Sequence, residues 1–355
     1  MKYTSRVDVS LFDFELPPEL IAQRPAAERD ASRLLVLDRA SGRIVSHATV
    51  ATLGNFLRAG DLLVANNSRV FPARLLGRRD PSGGAVECLL LRRIDADRWE
   101  ALVHPGQKLK PGRRMAFEGQ GTLLRAEVLD RHFHGRRTIR LWTDDGSDVE
   151  AVIDAIGHVP LPPYIHRPDE QADRERYQTV FALPRGSVAA PTAGLHFTER
   201  LLTDLEARGV ERAEVTLHVG YGTFKPVHVD RVEDHRVDEE CYEVSASAAA
   251  GIRAAKREGR RVIAVGTTTT RTIEAAALNG EGEAKPGSDC TDLFIYPGFT
   301  FRVVDGLFTN FHLPRSSLLM LVCAFAGREA ILDAYREAVR LGYRFYSYGD
   351  AMLVL

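Results

Sequence analysis

The sequence predicts an α+β protein, in which a larger α/β-type domain with a mixed sheet is interrupted by a small inserted β-barrel. Three observations carry that expectation. Strand-like apolar runs alternate with helical periods over residues 1–71 and 155–355, the alternation that builds a parallel or mixed sheet under helices. Between 72 and 154 the texture changes to short alternating segments separated by turn clusters, with no helical period, as in a small barrel or sandwich. The same stretch is basic. Residues 71–140 hold 15 Lys and Arg against 8 Asp and Glu, a net of +7 in a chain whose formal charge is −1.

Each element has a local reason. "RLLVLDR" (33–39) and "GDLLVANNSRV" (60–70) read as buried strands, the second entered through a Gly60-Asp61 turn. In the insert, "AVECLLLRRI", "RWEALV", "RMAFE", "LLRAEVLDR" and "RRTIRLW" are strands divided by "DPSGG", "HPGQKLKPG", "EGQG" and "DDGSD". The Pro-rich stretch 157–178 reads as an ordered crossing loop, because proline suits neither a helix interior nor a central strand. "SVAA" (187–190) is a short strand. A helix follows over 198–208, with Thr198 as N-cap, Phe197 and Leu202 as a hydrophobic staple, and Gly209 as the residue that ends it. In "AEVTLHV" (213–219), Val215, Leu217 and Val219 face one way, Thr216 and His218 the other. A helix over 247–258 stops at Gly259, the strand "RVIAVG" (261–266) leads into the helix of "TTTTRTIEAAAL", "FIYPGFTFRVVDGLFTNF" supplies further strand, and "SSLLMLVCAFAG" a buried helix.

Composition excludes several classes. With 355 residues and 45% apolar content the chain builds a large core. Lys plus Arg is 47 against 48 Asp plus Glu, so the overall balance names no partner. The N-terminal residues lack the apolar core of a signal peptide, and the longest apolar run, nine residues at 318–326, is about half a bilayer span. A cytoplasmic protein without membrane attachment is expected. Cys88, Cys241, Cys290 and Cys323 are far apart and form no CxxC pair, and HExxH is absent. They read as buried free thiols, with neither a zinc site nor a disulfide framework.

Four segments share one design: a strand end, glycine, small hydroxyl residues and a histidine or arginine. They are "AAPTAGLHFTE", "LHVGYGTFKPV", "AVGTTTTRTIE" and "LFTNFHLPRSS". Ligands of open α/β sheets bind outside the carboxyl ends of the strands, so these loops are expected to converge on one polar pocket. Gly266 and the threonines after it lack the Gly-Lys of a phosphate loop, and a Thr-rich helix start explains them as well. His196 stands just before a helix N-terminus, whose dipole lowers an imidazole pKa and keeps the ring neutral. His218 fits an interior or a ligand-facing role equally, and His312 sits at a strand end before Pro314. His235 follows Asp234 close to Asp238, Glu239 and Glu240, which bear on its charge and tautomer.

Long collinear motifs say more. "GDLLVANNSRVFPARLLG", "IGHVPLPPYIHRPDEQADRERYQTVFA", "GSVAAPTAGLHFTERLL", "VTLHVGYGTFKPV", "VIAVGTTTTRTIEAA", "DLFIYPGFTFRVVDGLFTNFHLPRSSLLMLVCAFAG" and "YRFYSYGDAMLV" occur in order. Together they closely resemble the S-adenosylmethionine:tRNA ribosyltransferase-isomerase family of queuosine biosynthesis, over essentially the whole chain. One departure is local. Where the family pattern has Asp-His-x-Met-His, this chain has "EDHRVDEE", keeping Asp234 and His235 but placing Asp238 at the second histidine.

The resemblance implies a reaction. The ribosyl group of S-adenosylmethionine passes to the aminomethyl group of a 7-deazaguanine base at the tRNA wobble position and is isomerised, releasing adenine and methionine and giving epoxyqueuosine-tRNA. It implies a site between barrel and body, no tightly bound cofactor, no metal, and S-adenosylmethionine as co-substrate. The sulfonium acidifies the 5′-carbon, adenine needs a proton to leave, and the amine must attack neutral, so several weak acids and bases are required. On that chemistry His196 is the expected base, His218 and His312 serve as acids or polar positioning groups, and Asp234 with His235 forms a second proton-handling pair. Tyr221 or Tyr296 would face the sulfonium. Thr192, Gly194, Gly220, Gly222, Thr223, Gly266, Thr267, Thr268 and Asn310 would line the substrate, with Arg271 on the methionine carboxylate. Arg69, Arg74, Arg78, Lys108, Lys110 and Arg113 would meet tRNA phosphates, and the chain is expected to act as a monomer. An RNA methyltransferase is the rival that uses the same co-substrate, and a non-catalytic RNA-binding module is the rival of another class.

Overall fold

Nine strands form one mixed sheet in the order β15 (Gly287–Thr291), β13 (Glu240–Val244), β12 (Glu211–Leu217), β3 (Leu62–Asn66), β14 (Val262–Val265), β16 (Gly306–Asn310), β17 (Ala351–Val354), β1 (Arg33–Asp38) and β2 (Arg43–Thr49). The computed structural model describes residues 7–224 and 227–355, so Lys225 and Pro226 of the "GYGTFKPV" segment and the first six residues lie outside it. Strands β12, β3, β14 and β16 run parallel, whereas β17 is antiparallel to β16 and parallel to β1. Strands β3, β14 and β16 are buried along their whole length, which is why they read as unbroken apolar runs without alternation.

Helices cover both faces. On one side α4 (Ala246–Arg257), α5 (Gly266–Leu278), α6 (Ser317–Ala326) and α7 (Arg328–Arg340) pack on Leu35, Leu62, Val64, Val262 and Leu307. On the other, α3 (Glu199–Ala207) packs on Leu34, Leu63, Ile263 and Phe308. Thr198 caps α3, its hydroxyl accepting from the Leu201 amide at 3.1 Å, a contact whose loss to alanine costs about 1 kcal/mol. Gly209 ends the helix at φ +83°.

Strands β5 (Arg74–Asp80), β6 (Ala85–Arg93), β7 (Arg98–His104), β8 (Arg114–Gly119), β9 (Thr122–Arg131) and β10 (Arg136–Thr143) close into a barrel in the order β10-β7-β6-β5-β8-β9. Alternate residues of β6, β7 and β9 point inward around Cys88, Leu90, Ala101, Leu124 and Ala126, and α1 (Val149–Ile156) adds Val152 and Ile153 to the same core. A closed barrel leaves no edge strand exposed. The crossing loop carries one short helix, α2 (Asp173–Arg176), and β4 (Arg69–Val70) pairs in parallel with β11 (Arg185–Ser187) beside the barrel.

Three expectations need correction. In "FIYPGFTFRVVDGLFTNF" only β16 is strand. The amides of Arg302, Val303 and Val304 donate instead to the buried carboxylate of Glu274 on α5, at 2.9–3.0 Å. In "SVAA" only Ser187 is strand, because the Val188 and Ala189 amides both turn to the Val219 carbonyl. Cys241 and Cys290 are not free thiols but a disulfide, since the antiparallel register of β13 and β15 sets them directly opposite each other. Cys88 and Cys323 are buried free thiols.

Candidate active site

The carboxyl ends of β3, β12, β14 and β16 lie on one edge of the sheet, and the four singled-out loops leave from that edge or face it. Three adjoining cavities follow. One, of about 510 Å³, fills the seam between barrel and body; a small one lies on the sheet edge; the third, of about 450 Å³, lies beyond the loop at Gly222–Thr223. They share walls. Val219 belongs to the first two, Gly222 and Glu240 to the first and third, and Thr223, Thr267 and Thr268 to the last two.

Asn310, at the end of β16, organises the sheet edge. Its Nδ2 donates to the Tyr346 carbonyl at 3.1 Å and to His196 Nε2 at 2.9 Å, and its Oδ1 accepts from the Thr192 hydroxyl at 3.2 Å. That orientation makes His196 Nε2 an acceptor and places its proton on Nδ1. His196 is buried behind Asn310, outside the cavity walls. Burial first, then the neighbouring Arg344, holds its pKa down at about 4, where sequence reasoning invoked the helix dipole. His312 does line the small cavity, bonded through Nε2 to the Thr309 hydroxyl at 3.0 Å, and burial lowers it to about 3. Both rings are therefore neutral hydrogen-bonding groups at neutral pH.

His218 lies on the seam cleft one residue beyond β12, and burial lowers its pKa. Its Nδ1 is buried without a partner, as is Trp99 Nε1 on the barrel side of the same cleft. Gly186 has to be glycine, because a Cβ there would sit 2.7 Å from the His218 ring. Gly220, Tyr221 and Gly222 continue the wall, and any side chain at 222 would run into the Asp238 carboxylate.

The third cavity holds Asp234, His235, Thr267, Thr268 and Arg271. His235 packs its edge on Phe294 at 5.0 Å, and burial followed by Arg236 lowers its pKa. Arg271 stands in the second turn of α5: its Nε donates to the Leu293 carbonyl at 2.9 Å, its Nη1 pairs with Glu240, and its Nη2 is buried without a partner. The hydroxyls of Thr269 and Thr270 turn back to carbonyls four residues earlier, so only Thr267 and Thr268 face the cavities.

The structure leaves other candidates outside. Gly194 packs on Thr179, and Tyr296 stands behind Phe294 at 5.2 Å rather than on a wall. Arg74 is taken by a two-pronged pair with Glu87 at 2.8 and 3.0 Å, so it is not a free phosphate contact. Arg69 is exposed on β4, which pairs with β11 and not with a barrel strand. Arg78, Lys108, Lys110 and Arg113 are exposed toward one end of the barrel.

Sequence reasoning missed Glu240. Its carboxylate accepts from the Gly220 amide at 2.8 Å and the Thr223 hydroxyl at 3.2 Å while pairing with Arg271, so one buried acid ties the glycine loop to α5. The signal was the alternation of β13, which turns Glu240, Tyr242 and Val244 inward together. Asp238, at the position of the departing histidine, accepts from Arg136 of the barrel at 2.8 Å and spans the seam.

Comparisons with known proteins agree along the chain. The family model described as "Queuosine biosynthesis protein" matches residues 9–354. An S-adenosylmethionine:tRNA ribosyltransferase-isomerase of Heliobacterium modesticaldum is 54% identical over 349 residues, covering 98% of this chain and 100% of that protein. A protein of the same name from Symbiobacterium thermophilum is 54% identical over 347 residues, with 98% and 99% covered. The crystal structure of an S-adenosylmethionine tRNA ribosyltransferase from Thermotoga maritima is 40% identical, with a TM-score of 0.55 over 98% of this chain and 100% of that one.

Proposed function

This chain belongs to the queuosine biosynthesis protein family of S-adenosylmethionine:tRNA ribosyltransferase-isomerases, and we propose that it moves the ribosyl moiety of S-adenosylmethionine onto 7-aminomethyl-7-deazaguanine at the tRNA wobble position. The ribosyl group is isomerised, adenine and methionine leave, and the product is epoxyqueuosine-tRNA. The observation that carries this reading is the unpartnered Nη2 of Arg271, a buried guanidinium donor beside the amino end of α5. A buried donor without an acceptor is costly unless a ligand supplies one, and a carboxylate at a helix amino end is favoured by both charge and dipole. The methionine carboxylate fits there.

The remaining roles follow from placement. His218, kept neutral by burial and with its buried Nδ1 unpartnered beside the seam, takes the proton from the 5′-carbon that the sulfonium acidifies. The base role moves to it from His196, which instead fixes the Asn310 amide. His312 serves as a polar positioning group, and Asp234 with His235 handles the second proton. Tyr221 offers its face to the sulfonium, and the wobble base enters the seam beside Trp99, whose indole N–H is free to be accepted. Lys108, Lys110, Arg113 and Arg78 meet tRNA phosphates.

The test is incubation with S-adenosylmethionine and tRNA bearing the 7-aminomethyl-7-deazaguanine base, followed by nucleoside analysis. Adenine and methionine in equal amounts, with the epoxide nucleoside in the tRNA, is the expected result. S-Adenosylhomocysteine would refute it in favour of methyl transfer, and tRNA binding without consumption of S-adenosylmethionine would refute it in favour of a binding module.

A further inference from the structure

Phe133 is 89% exposed, the most exposed large apolar side chain among the described residues. It stands on the turn between β9 and β10, and that turn is firmly built. The His132 amide donates to the Arg136 carbonyl at 2.9 Å, and the His132 ring bonds the Thr138 hydroxyl at 2.8 Å. Beneath it lies Arg137, a buried arginine with no ion-pair partner among the described residues. Its guanidinium donates to the carbonyls of Gly135 and Arg136 in this turn, at 3.0 and 2.9 Å, and to those of Gly106 and Leu109, at 3.0 and 3.2 Å, in the loop between β7 and β8. One buried cation therefore laces two loops together at the same end of the barrel.

What those loops present is consistent. The β7–β8 loop carries Lys108 and Lys110 and ends at Arg113, while Arg131 closes β9. All four are exposed, and none has an ion-pair partner among the described residues. Arg136, three residues past Phe133, turns inward, lines the seam cleft and donates to Asp238 and Glu100. The exposed ring is thus carried on a turn that Arg137 ties to the loop of free cations and that ends at Arg136 in the cleft wall. A solvated phenyl ring gains nothing there by itself, but a ring beside backbone-seeking cations is the arrangement that binds single-stranded nucleic acid, the cations on phosphates and the ring on a base face.

We propose that Phe133 is a stacking platform for an unpaired loop nucleotide next to the reacting one, held by the tRNA as its base enters the seam. This rests on the tRNA reading above and adds to it a contact that carries no charge. Stacking and charge separate by salt. Removing a ring releases no counterion, so the loss is the same factor at every ionic strength; removing a phosphate-bound lysine changes the slope.

Full-length wild type, Phe133→Ala, Phe133→Trp, Lys110→Ala and Leu183→Ala are titrated with tRNA at low and moderate salt. Phe133→Ala is expected to weaken the Kd about tenfold at both salt concentrations, with the salt slope unchanged, and Phe133→Trp to restore it. Lys110→Ala should lower the slope by about one, and Leu183→Ala, which removes another exposed apolar side chain, should leave affinity as it is. A Phe133→Ala chain that binds as tightly as wild type overturns the platform and leaves the tRNA reading standing. So does a change in sedimentation mass on that substitution, which would make the ring a contact between two copies of the chain. Failure of the wild-type chain to bind tRNA overturns the tRNA reading, and the platform with it.

Discussion

Replacing His312 by glutamine removes an imidazole that titrates differently in the folded and unfolded chain. Burial holds the folded ring at about 3, against an ordinary imidazole value of 6.5. His196, held by burial and Arg344, sits at about 4. Because the folded value is the lower one, the unfolded chain binds more protons between the two, and stability falls as the pH drops below 6.5. At pH 5 an unfolded imidazole is almost wholly protonated while the buried ring is still neutral, whether its value is 3 or 4. Going from pH 7 to pH 5 therefore destabilises the fold by about 2 kcal/mol for each of the two histidines. Glutamine keeps a polar atom near Nε2 but does not titrate. Urea unfolding followed by circular dichroism in half-unit steps from pH 7.5 to 5 reads the difference. Carboxylates titrate in both proteins and cancel. The expected result is an acid limb flatter by about 2 kcal/mol in His312→Gln, by the same in His196→Gln, and by about 4 kcal/mol in the double variant. A His312→Gln curve parallel to wild type throughout would show that this ring is not a buried neutral group, and its positioning role would go with it.

Two further outcomes are expected. Glu240→Gln leaves the Arg271 guanidinium without its counter-charge, so unfolding free energy should drop by about 3 kcal/mol and the KM for S-adenosylmethionine should rise, with partial recovery in Glu240→Asp; an unchanged KM would remove Glu240 from the site. The Cys241–Cys290 disulfide closes a loop with a sequence separation of 49, and loop-closure entropy assigns such a link about 4 kcal/mol. Cys290→Ser, or wild type under a dithiol reductant, should unfold at correspondingly lower urea, and equal midpoints would refute that assignment.

Features that depend on a few neighbouring residues were legible in the chain. Thr198 caps α3 because capping needs only the cap and the next three amides, and the alternation of Val215, Leu217 and Val219 is the geometry of a single strand. The barrel announced itself by a change of period. What depends on register was not legible. Cys241 and Cys290 meet only because β13 and β15 pair in one particular alignment. Glu240 reads as the last of three acids, Asp238-Glu239-Glu240, yet the strand turns it inward onto Arg271 and leaves Glu239 exposed. His196 reads as a group beside a helix end, and only the position of Asn310, more than a hundred residues on, places the ring behind the wall.

The basic insert shows why composition alone mislocates a binding surface. Along the barrel wall several of its arginines are consumed by neighbouring acids: Arg74 by Glu87, Arg93 by Glu150, Arg98 by Asp95, Arg125 by Asp144. Exposed pairs of this kind add little stability, but they cancel the field that a charge count suggests. Lys108, Lys110 and Arg113 escape because the loop that carries them projects past the ends of the strands, and Arg131, the last residue of β9, faces Arg137 across the ladder instead of a carboxylate. Arg137 escapes pairing too, but inward, onto backbone carbonyls that hold those loops in place. The unpaired charge is therefore concentrated where the barrel has loops instead of ladders, and the exposed ring of Phe133 is carried on a turn of that same end.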